Sequence, residues 1–114
     1  MDTIPNAEDA IIDAEKLRGC ILSFSHPIGR FKAAFFQKLG YSAENWKLLE
    51  TTLKGIILSN TGGKIEDTEY GRKYIVEGFT ISPSGKNVHL VTVWIILKEE
   101  IVPRFVTVYP RGLL

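Results

Sequence analysis

The sequence contains only one cysteine, Cys20, among its 114 residues. A single cysteine cannot form an intrachain disulfide, and such usage is typical of proteins kept in a reducing compartment. No apolar run approaches the roughly 20 residues that a membrane-spanning helix requires. The acidic N-terminus also lacks the basic and apolar segments of a signal peptide. These absences predict a cytoplasmic protein that makes no contact with a membrane.

Motifs for metals and cofactors are also missing from the sequence. His26, His89 and Cys20 are too widely separated for the ligand spacing of a zinc site. The acidic residues between positions 66 and 69 lack the glycine and the ligand periodicity of a calcium loop. The phosphate-binding pattern GxxxxGK[ST] and the nucleophile pattern GxSxG are absent. We therefore expect neither a metal nor an organic cofactor.

Neither positive nor negative charge is in clear excess, since the formal net charge is +1 at pH 7. A strongly basic surface for nucleic acid is therefore not indicated by the total. The distribution is uneven: residues 1–15 hold five acidic and no basic side chains, whereas residues 28–56 hold five lysine or arginine side chains against two glutamates. The second segment either faces phosphate groups or forms an ordinary solvated helix surface.

Helical periodicity is present in the N-terminal half, where apolar residues recur at three- and four-residue steps. One helix is predicted to begin near Pro27 and to end before Gly40, and a shorter one is predicted over residues 14–20. Another follows a cap at Ser42 or Asn45. The predicted buried residues of the two longer helices are Phe31, Ala34, Phe35 and Leu39 in the first, and Trp46, Leu49, Leu53, Ile56 and Ile57 in the second.

The periodicity changes to two in the C-terminal third, where β-branched and aromatic residues are frequent. Strands are predicted over residues 73–81, 88–97 and 104–109, with a turn at residues 83–86, and residues 64–71 are predicted to be a loop. We expect residues 1–114 to form one domain. Its predicted fold is α+β, with two to three N-terminal helices packed on a C-terminal antiparallel meander of three to four strands.

The turn also predicts a strand register, in which Phe79 pairs with Leu90, and Trp94 lies between Ile75 and Thr107. Because side chains alternate between the two faces of a sheet, this register predicts one smooth apolar face against the helices. The other face is predicted to be mixed and exposed to water. The predicted residues of this mixed face are Lys73, Ile75, Glu77, Thr92, Trp94, Ile96, Phe105, Thr107 and Tyr109. A slip of one residue in either hairpin inverts part of this assignment.

Several residues match the chemistry of metal-independent RNA cleavage. This reaction requires a base that removes the 2′-hydroxyl proton, an acid that protonates the leaving oxygen, and groups that stabilise the charge on phosphorus. His26 is predicted to be the base or the acid, since histidine titrates near neutral pH. Arg30 and Lys32 are predicted to bind the scissile phosphate at the start of a helix, and Lys32 is also predicted to be catalytic. The remaining candidates are Thr107 and Tyr109 for catalysis by hydrogen bonding, Lys73 and Arg111 for phosphate binding, and Trp94 for stacking of a base.

Each of these residues also has a purely structural interpretation. His26 precedes a proline at a helix start, and Lys32 points away from the apolar stripe, as a solvated side chain does. The Tyr109 side chain is also suited to a structural role in closing the end of a strand. His89 lies near a turn, and we expect it to be structural. Glu77 is predicted to form a cross-strand pair with a threonine.

Several segments of the chain resemble a bacterial domain family of uncharacterised function. The resemblance rests on Ser-His-Pro-x-Gly-x-x-Lys-Ala-x-Phe at residues 25–35, on Tyr-Gly-x-x-Tyr at residues 70–74, and on residues 93–95 and 103–110. This family is similar to the barnase, EndoU, colicin and RelE group of ribonuclease toxins. The resemblance implies helices ahead of an antiparallel sheet, RNA cleavage without a metal, and control by a small antitoxin or immunity-type protein.

These observations predict a metal-independent endoribonuclease of toxin type, with RNA as its substrate and a small protein as its partner. The alternative prediction is a binding module for protein or RNA that lacks catalysis and uses the mixed sheet face around Trp94. A third interpretation is a structural protein whose nuclease site has decayed. The sequence leaves these alternatives open.

Overall fold

The computed structural model of the protein describes residues 4–22, 30–59 and 63–111. Within these ranges, helices precede an antiparallel sheet of four strands, which confirms the predicted α+β fold. None of the described helices is long and apolar enough to cross a membrane. The elements are a 3-10 helix over Ala7–Asp9, a π-helix over Lys16–Ile21, α1 over Arg30–Lys38, α2 over Trp46–Ser59, β1 over Lys64–Asp67, β2 over Gly71–Ile81, β3 over Asn87–Leu97 and β4 over Arg104–Pro110.

β1 is the strand that the sequence pattern does not predict. The expected loop over residues 64–71 is wrong for its first half, where Lys64 pairs with Ile75 and Asp67 pairs with Arg72. β1 lies at one end of the sheet and is largely exposed. Charged residues are usual on such edge strands because they oppose pairing with other chains. A polar edge strand therefore lacks the apolar alternation on which strand prediction depends.

The turn between β2 and β3 sets a register that differs by one residue from the predicted one. Phe79 pairs with His89 rather than with Leu90. The strands close on a loop at residues 83–85, because the Ser82 N–H donates to the carbonyl oxygen of residue 86 at 2.8 Å. The last loop residue is a glycine with a φ of 87°, the left-handed conformation that three-residue hairpin loops use. Loops of two or four residues give the predicted register, and a loop with an odd number of residues shifts it by one.

The pairing between β3 and β4 is also shifted by one residue. Tyr109 lies opposite Val91 rather than Thr92, and Val91 lies opposite Glu77 on β2. The two shifts therefore cancel between β2 and β4, so that Glu77 and Tyr109 share one face of the sheet, as predicted. β3 therefore presents the opposite set of side chains on each face. A bulge between Val93 and Trp94 then pairs Trp94 with Phe105, so Phe105 of β4 is buried against Trp94 and its predicted place on the mixed face is wrong.

This inversion of β3 places Trp94 in the core. The side chain is fully buried, and its ring packs edge to face against Phe105 with the centroids 5.4 Å apart. The indole Nε1–H donates to Thr92 Oγ1 at 2.8 Å, and this hydroxyl donates to the Val76 carbonyl oxygen at 2.8 Å. The predictions that Trp94 stacks a nucleobase, or lies on an exposed binding face, are therefore wrong.

The helices cover the sheet face that carries Trp94. The predicted apolar stripe of α2 is confirmed at Leu49, Leu53, Ile56 and Ile57, which are buried, whereas Trp46 is half-buried. The buried stripe of α1 differs from the predicted one: Phe36 is fully buried, whereas the predicted Phe35 is only half-buried. Phe36 packs edge to face against Tyr41, which follows the helix. The side chain of Phe31 lies outside the described part of the chain.

α1 ends in a glycine cap, as the sequence predicts. Gly40 has a φ of 97°. Its N–H donates to the Gln37 carbonyl oxygen at 2.9 Å, and the Tyr41 N–H donates to that of Phe36 at 3.0 Å. These two bonds define a Schellman motif, in which glycine avoids the strain of a side chain on a left-handed backbone. A Cβ at Gly40 would also lie 2.9 Å from the Cβ of Pro83 in the β2–β3 turn.

Gly40→Ala is expected to lower the free energy of unfolding by about 1–2 kcal/mol, because alanine must adopt the left-handed conformation and displace the turn. Gly55→Ala is the matched control, since a Cβ at this position in α2 meets nothing within 4 Å. There we expect alanine to raise the free energy of unfolding by about 0.5–1 kcal/mol. Urea denaturation measures both changes, and effects of the same sign would contradict the glycine cap.

Candidate functional site

The sheet face away from α2 carries most of the polar side chains of the long strands. We call it the outer face. In an antiparallel sheet, paired residues direct their side chains to the same side, and alternate residues along a strand do likewise. The outer face is thereby defined by Lys73, Ile75, Glu77, Phe79, His89, Val91, Val93, Thr107 and Tyr109. Val91 and Val93 are buried at the centre of this face, whereas the polar residues around them are partly exposed.

His89 and Glu77 are in contact on the outer face. His89 Nε2 lies 3.0 Å from Glu77 Oε1, and Arg111 Nε lies 3.8 Å from the same oxygen. Glu77 pairs with Val91, so His89 occupies a diagonal position within reach of a long side chain. The Arg111 N–H donates to the His89 carbonyl oxygen at 2.8 Å, which extends the strand pairing beyond Pro110. All three side chains are partly exposed, so a ligand can reach them.

Lys32 reaches the outer face from the first turn of α1. Its Nζ donates to Thr107 Oγ1 at 3.0 Å and lies 5.9 Å from the centre of the Tyr109 ring. The amine is half-buried, and this burial lowers the pKa of Lys32, because desolvation disfavours the charged form. The fold therefore brings three of the predicted catalytic residues together, although Lys32 and Thr107 are 75 positions apart in the chain.

Tyr109 lies on the outer face between the position of Thr107 and that of Arg111. Thr107, Tyr109 and Arg111 occupy alternate positions along one strand direction, and Tyr109 lies in the same row across the sheet as Glu77. We define the outer-face cluster as Lys32, Glu77, His89, Thr107, Tyr109 and Arg111. The cluster combines a carboxylate, an imidazole, an ammonium group, a guanidinium group and two hydroxyls on one side of the sheet.

Other predicted site residues lie outside this cluster. Lys73 is on the outer face, but its Nζ lies 3.9 Å from Glu66 Oε2 on β1. Trp94 is buried on the opposite face. His26 and the side chain of Arg30 lie outside the described residues, so their roles in proton transfer and phosphate binding stay predictions.

Sequence patterns alone gave His89 and Glu77 a structural role, and the register explains why. In the predicted register, His89 lies on the opposite face from Glu77, where no contact can form. The turn sequence could have predicted the contact between His89 and Glu77. A three-residue loop that ends in Gly85 places His89 opposite Phe79 and diagonal to Glu77.

The fold and the site define a class of protein: an α+β domain with α2 packed on one sheet face and a cluster of charged and polar side chains on the other. Within this class, the chain belongs to a family described as a domain of unknown function (DUF6883), whose model matches residues 3–112. No curated protein matches the sequence.

A solved structure shares this fold. It is a chain from a complex of a contact-dependent growth inhibition toxin with an immunity protein from Klebsiella pneumoniae 342. The two chains are 24% identical and superpose with a TM-score of 0.70, and the match covers 89% of this chain and 99% of the other. A likeness at this level establishes a common architecture and leaves activity to be argued from the site.

Proposed function

We propose that this chain is a metal-independent endoribonuclease of toxin type. The observation that carries the proposal is the outer-face cluster, where a carboxylate–imidazole pair and its neighbouring guanidinium group share one partly exposed sheet face with the ammonium group that contacts Thr107. Proton-transfer groups and fixed positive charge are the two requirements for phosphodiester cleavage by the 2′-hydroxyl. The Thr107 and Tyr109 hydroxyls add hydrogen-bond donors for phosphate oxygens.

Glu77 and His89 form the proton-transfer pair of the proposed mechanism. Glu77 accepts the 2′-hydroxyl proton, the freed oxygen attacks phosphorus, and the bond from phosphorus to the 5′-oxygen breaks. His89 donates a proton to that leaving oxygen. The products are a 2′,3′-cyclic phosphate and a 5′-hydroxyl, and no co-reactant is required.

Lys32 and Arg111 supply the positive charge that the reaction requires. They belong to opposite ends of the cluster, since Lys32 contacts Thr107 and Arg111 lies beside Glu77. Negative charge that develops on the phosphate oxygens gains more from a cation fixed in a partly buried site, as Lys32 is, than from one in water. The Thr107 hydroxyl accepts a hydrogen bond from the Lys32 amine and so holds it in position.

The toxin-type part of the proposal is supported by the solved neighbour, which comes from a complex of a toxin with its immunity protein. A catalytic cluster favours the toxin rather than the immunity member of such a pair. We propose by analogy that this chain acts on RNA in the cytoplasm and is controlled by a small immunity-type protein. The producing cell needs that control because its own RNA is a substrate.

The proposal is tested with purified wild type and Lys32→Met on total RNA and on a single-stranded oligoribonucleotide, in the presence of EDTA. We expect wild type to give fragments that end in a 2′,3′-cyclic phosphate, and to leave a fully 2′-O-methylated oligonucleotide intact. Lys32→Met is expected to cleave about 100-fold more slowly, because one charge-stabilising group is lost. Intact RNA with folded wild type, or cleavage that stops in EDTA, would overturn the proposal.

The stability of Lys32→Met gives a separate test of the buried amine. Because the pKa of Lys32 is lowered from its ordinary value of 10.5, the folded chain binds this proton less tightly than the unfolded chain. The charged amine therefore subtracts from wild-type stability at neutral pH, and this loss is relieved as the pH rises toward 10.5. We expect Lys32→Met to equal the wild type or to exceed it by up to about 1 kcal/mol at neutral pH. Its advantage in urea denaturation should shrink in alkaline buffer, and an advantage that grew would contradict the burial.

A further inference from the structure

Phe79 is an unusually exposed aromatic residue beside the outer-face cluster. Its side chain is 77% exposed, more than that of any other large apolar residue in the described part of the chain. The ring is stacked on the His89 imidazole, with the centroids 4.2 Å apart and the planes 24° from parallel. Phe79 lies directly opposite His89 in the register. A phenyl ring therefore lies next to the proposed acid and remains largely open to solvent.

We propose that Phe79 is a stacking site for an unpaired nucleobase of an RNA strand whose scissile phosphate lies at the outer-face cluster. This inference rests on the proposed ribonuclease function and adds the kind of RNA that the site accepts. It assigns the site to single-stranded RNA, because a base within a duplex is stacked on its neighbours and cannot cover the ring.

The geometry supports stacking rather than another kind of contact. The imidazole covers one side of the phenyl ring in a nearly parallel arrangement, and the remaining exposed surface can extend that stack by one base. Arg111, beside His89, provides positive charge for the phosphate of a bound nucleotide. A phenyl ring has no hydrogen-bonding groups, so it accepts any base. We therefore expect a requirement for a single strand and little dependence on base identity at this position.

Stabilisation of the hairpin does not explain the exposure of Phe79. A cross-strand aromatic pair needs only the side of the ring that faces His89. Ile81 provides the matched control, because it lies two positions later on the same strand and face and is 69% exposed. Ile81 has a similar apolar surface without a π-face. If RNA binding required only apolar surface, substitutions at both positions would weaken it. If RNA binding requires base stacking, only the loss of the Phe79 ring weakens it.

The test compares wild type with Phe79→Leu, Phe79→Trp and Ile81→Ala on a single-stranded oligoribonucleotide. Because stacking on an aromatic ring contributes strongly to binding of a base, we expect Phe79→Leu to lower kcat/KM by about 5- to 100-fold, mainly by raising KM. Phe79→Trp should keep kcat/KM within about threefold of the wild-type value, because tryptophan also stacks bases. Ile81→Ala should match wild type. Melting temperatures verify that all four proteins are folded.

A second readout does not depend on cleavage. A 2′-O-methylated oligonucleotide carries 2-aminopurine on either side of the cleavage position, and its fluorescence reports stacking when the protein binds. We expect a fluorescence change with wild type, Phe79→Trp and Ile81→Ala, and its loss with Phe79→Leu. Equal kinetics and equal fluorescence in all four proteins would overturn the inference and leave the exposed ring to a protein partner. Absence of any RNA cleavage by wild type is a different result, which overturns the proposed function and this inference together.

Discussion

Replacement of His89 by glutamine is expected to lower the rate of RNA cleavage by about 10²–10⁴-fold, because the proposed general acid is lost. Glutamine can still donate a hydrogen bond to Glu77 Oε1, which His89 Nε2 contacts at 3.0 Å, but it cannot transfer a proton at neutral pH. His89 is partly exposed on the outer face, so we expect the fold to tolerate the change. Single-turnover cleavage of an oligoribonucleotide measures the effect, and the melting temperature verifies folding.

His26→Gln is the comparison that makes this result decisive, because His26 carries the sequence-based prediction of proton transfer. The two variants and wild type are expressed from an inducible promoter, and growth and total RNA are followed. Loss of RNA fragmentation in His89→Gln alone would support proton transfer on the outer face. Loss in His26→Gln alone would contradict that assignment and return the role to the segment before α1.

Trp94→Ala is expected to lower the free energy of unfolding by about 3–5 kcal/mol, the range for removal of a fully buried large aromatic side chain. The indole ring packs against Phe105 and is completely buried. Thr92→Val is a milder companion, because it removes the acceptor of the indole N–H without opening a large cavity. We expect Thr92→Val to cost about 1–3 kcal/mol, the penalty for an unsatisfied buried donor. Urea denaturation followed by circular dichroism measures both.

The Trp94 variants also separate the two roles that an aromatic residue on this sheet can have. A buried residue affects RNA cleavage only in proportion to the unfolded fraction, whereas a stacking residue affects KM in a fully folded protein. Wild-type stability of Trp94→Ala together with weakened RNA binding would contradict the observed register of β3.

The sequence predicts the elements of this fold better than it predicts their pairing. α2 is readable because Leu49, Leu53 and Ile57 repeat at helical spacing and all three are buried. β1 is not readable, because three of its four residues are charged and its strand character comes from pairing with β2. The β2–β3 register depends on whether the turn has an even or an odd number of residues, and this property is conformational rather than compositional.

The sequence predicts the face correctly for the site residues on β2 and β4, but not for the site residue on β3. Thr107 and Tyr109 share a face with Glu77 in the predicted and in the observed sheet, because the two register shifts cancel. His89 is on β3, so the shift moves it from the face opposite Glu77 to the face that Glu77 shares. The Lys32–Thr107 contact joins residues 75 positions apart, and no local pattern specifies a contact of that length.

The position of β4 in the chain has a consequence for when activity arises. β4 and the residue that follows it carry Thr107, Tyr109 and Arg111, half of the outer-face cluster. A nascent chain synthesised only as far as β3 already contains Lys32, Glu77 and His89, but it has no hydroxyl to hold the amine and no guanidinium group beside the carboxylate. Under the proposed mechanism, a chain without β4 is expected to be inactive, so activity would begin only when β4 pairs with β3.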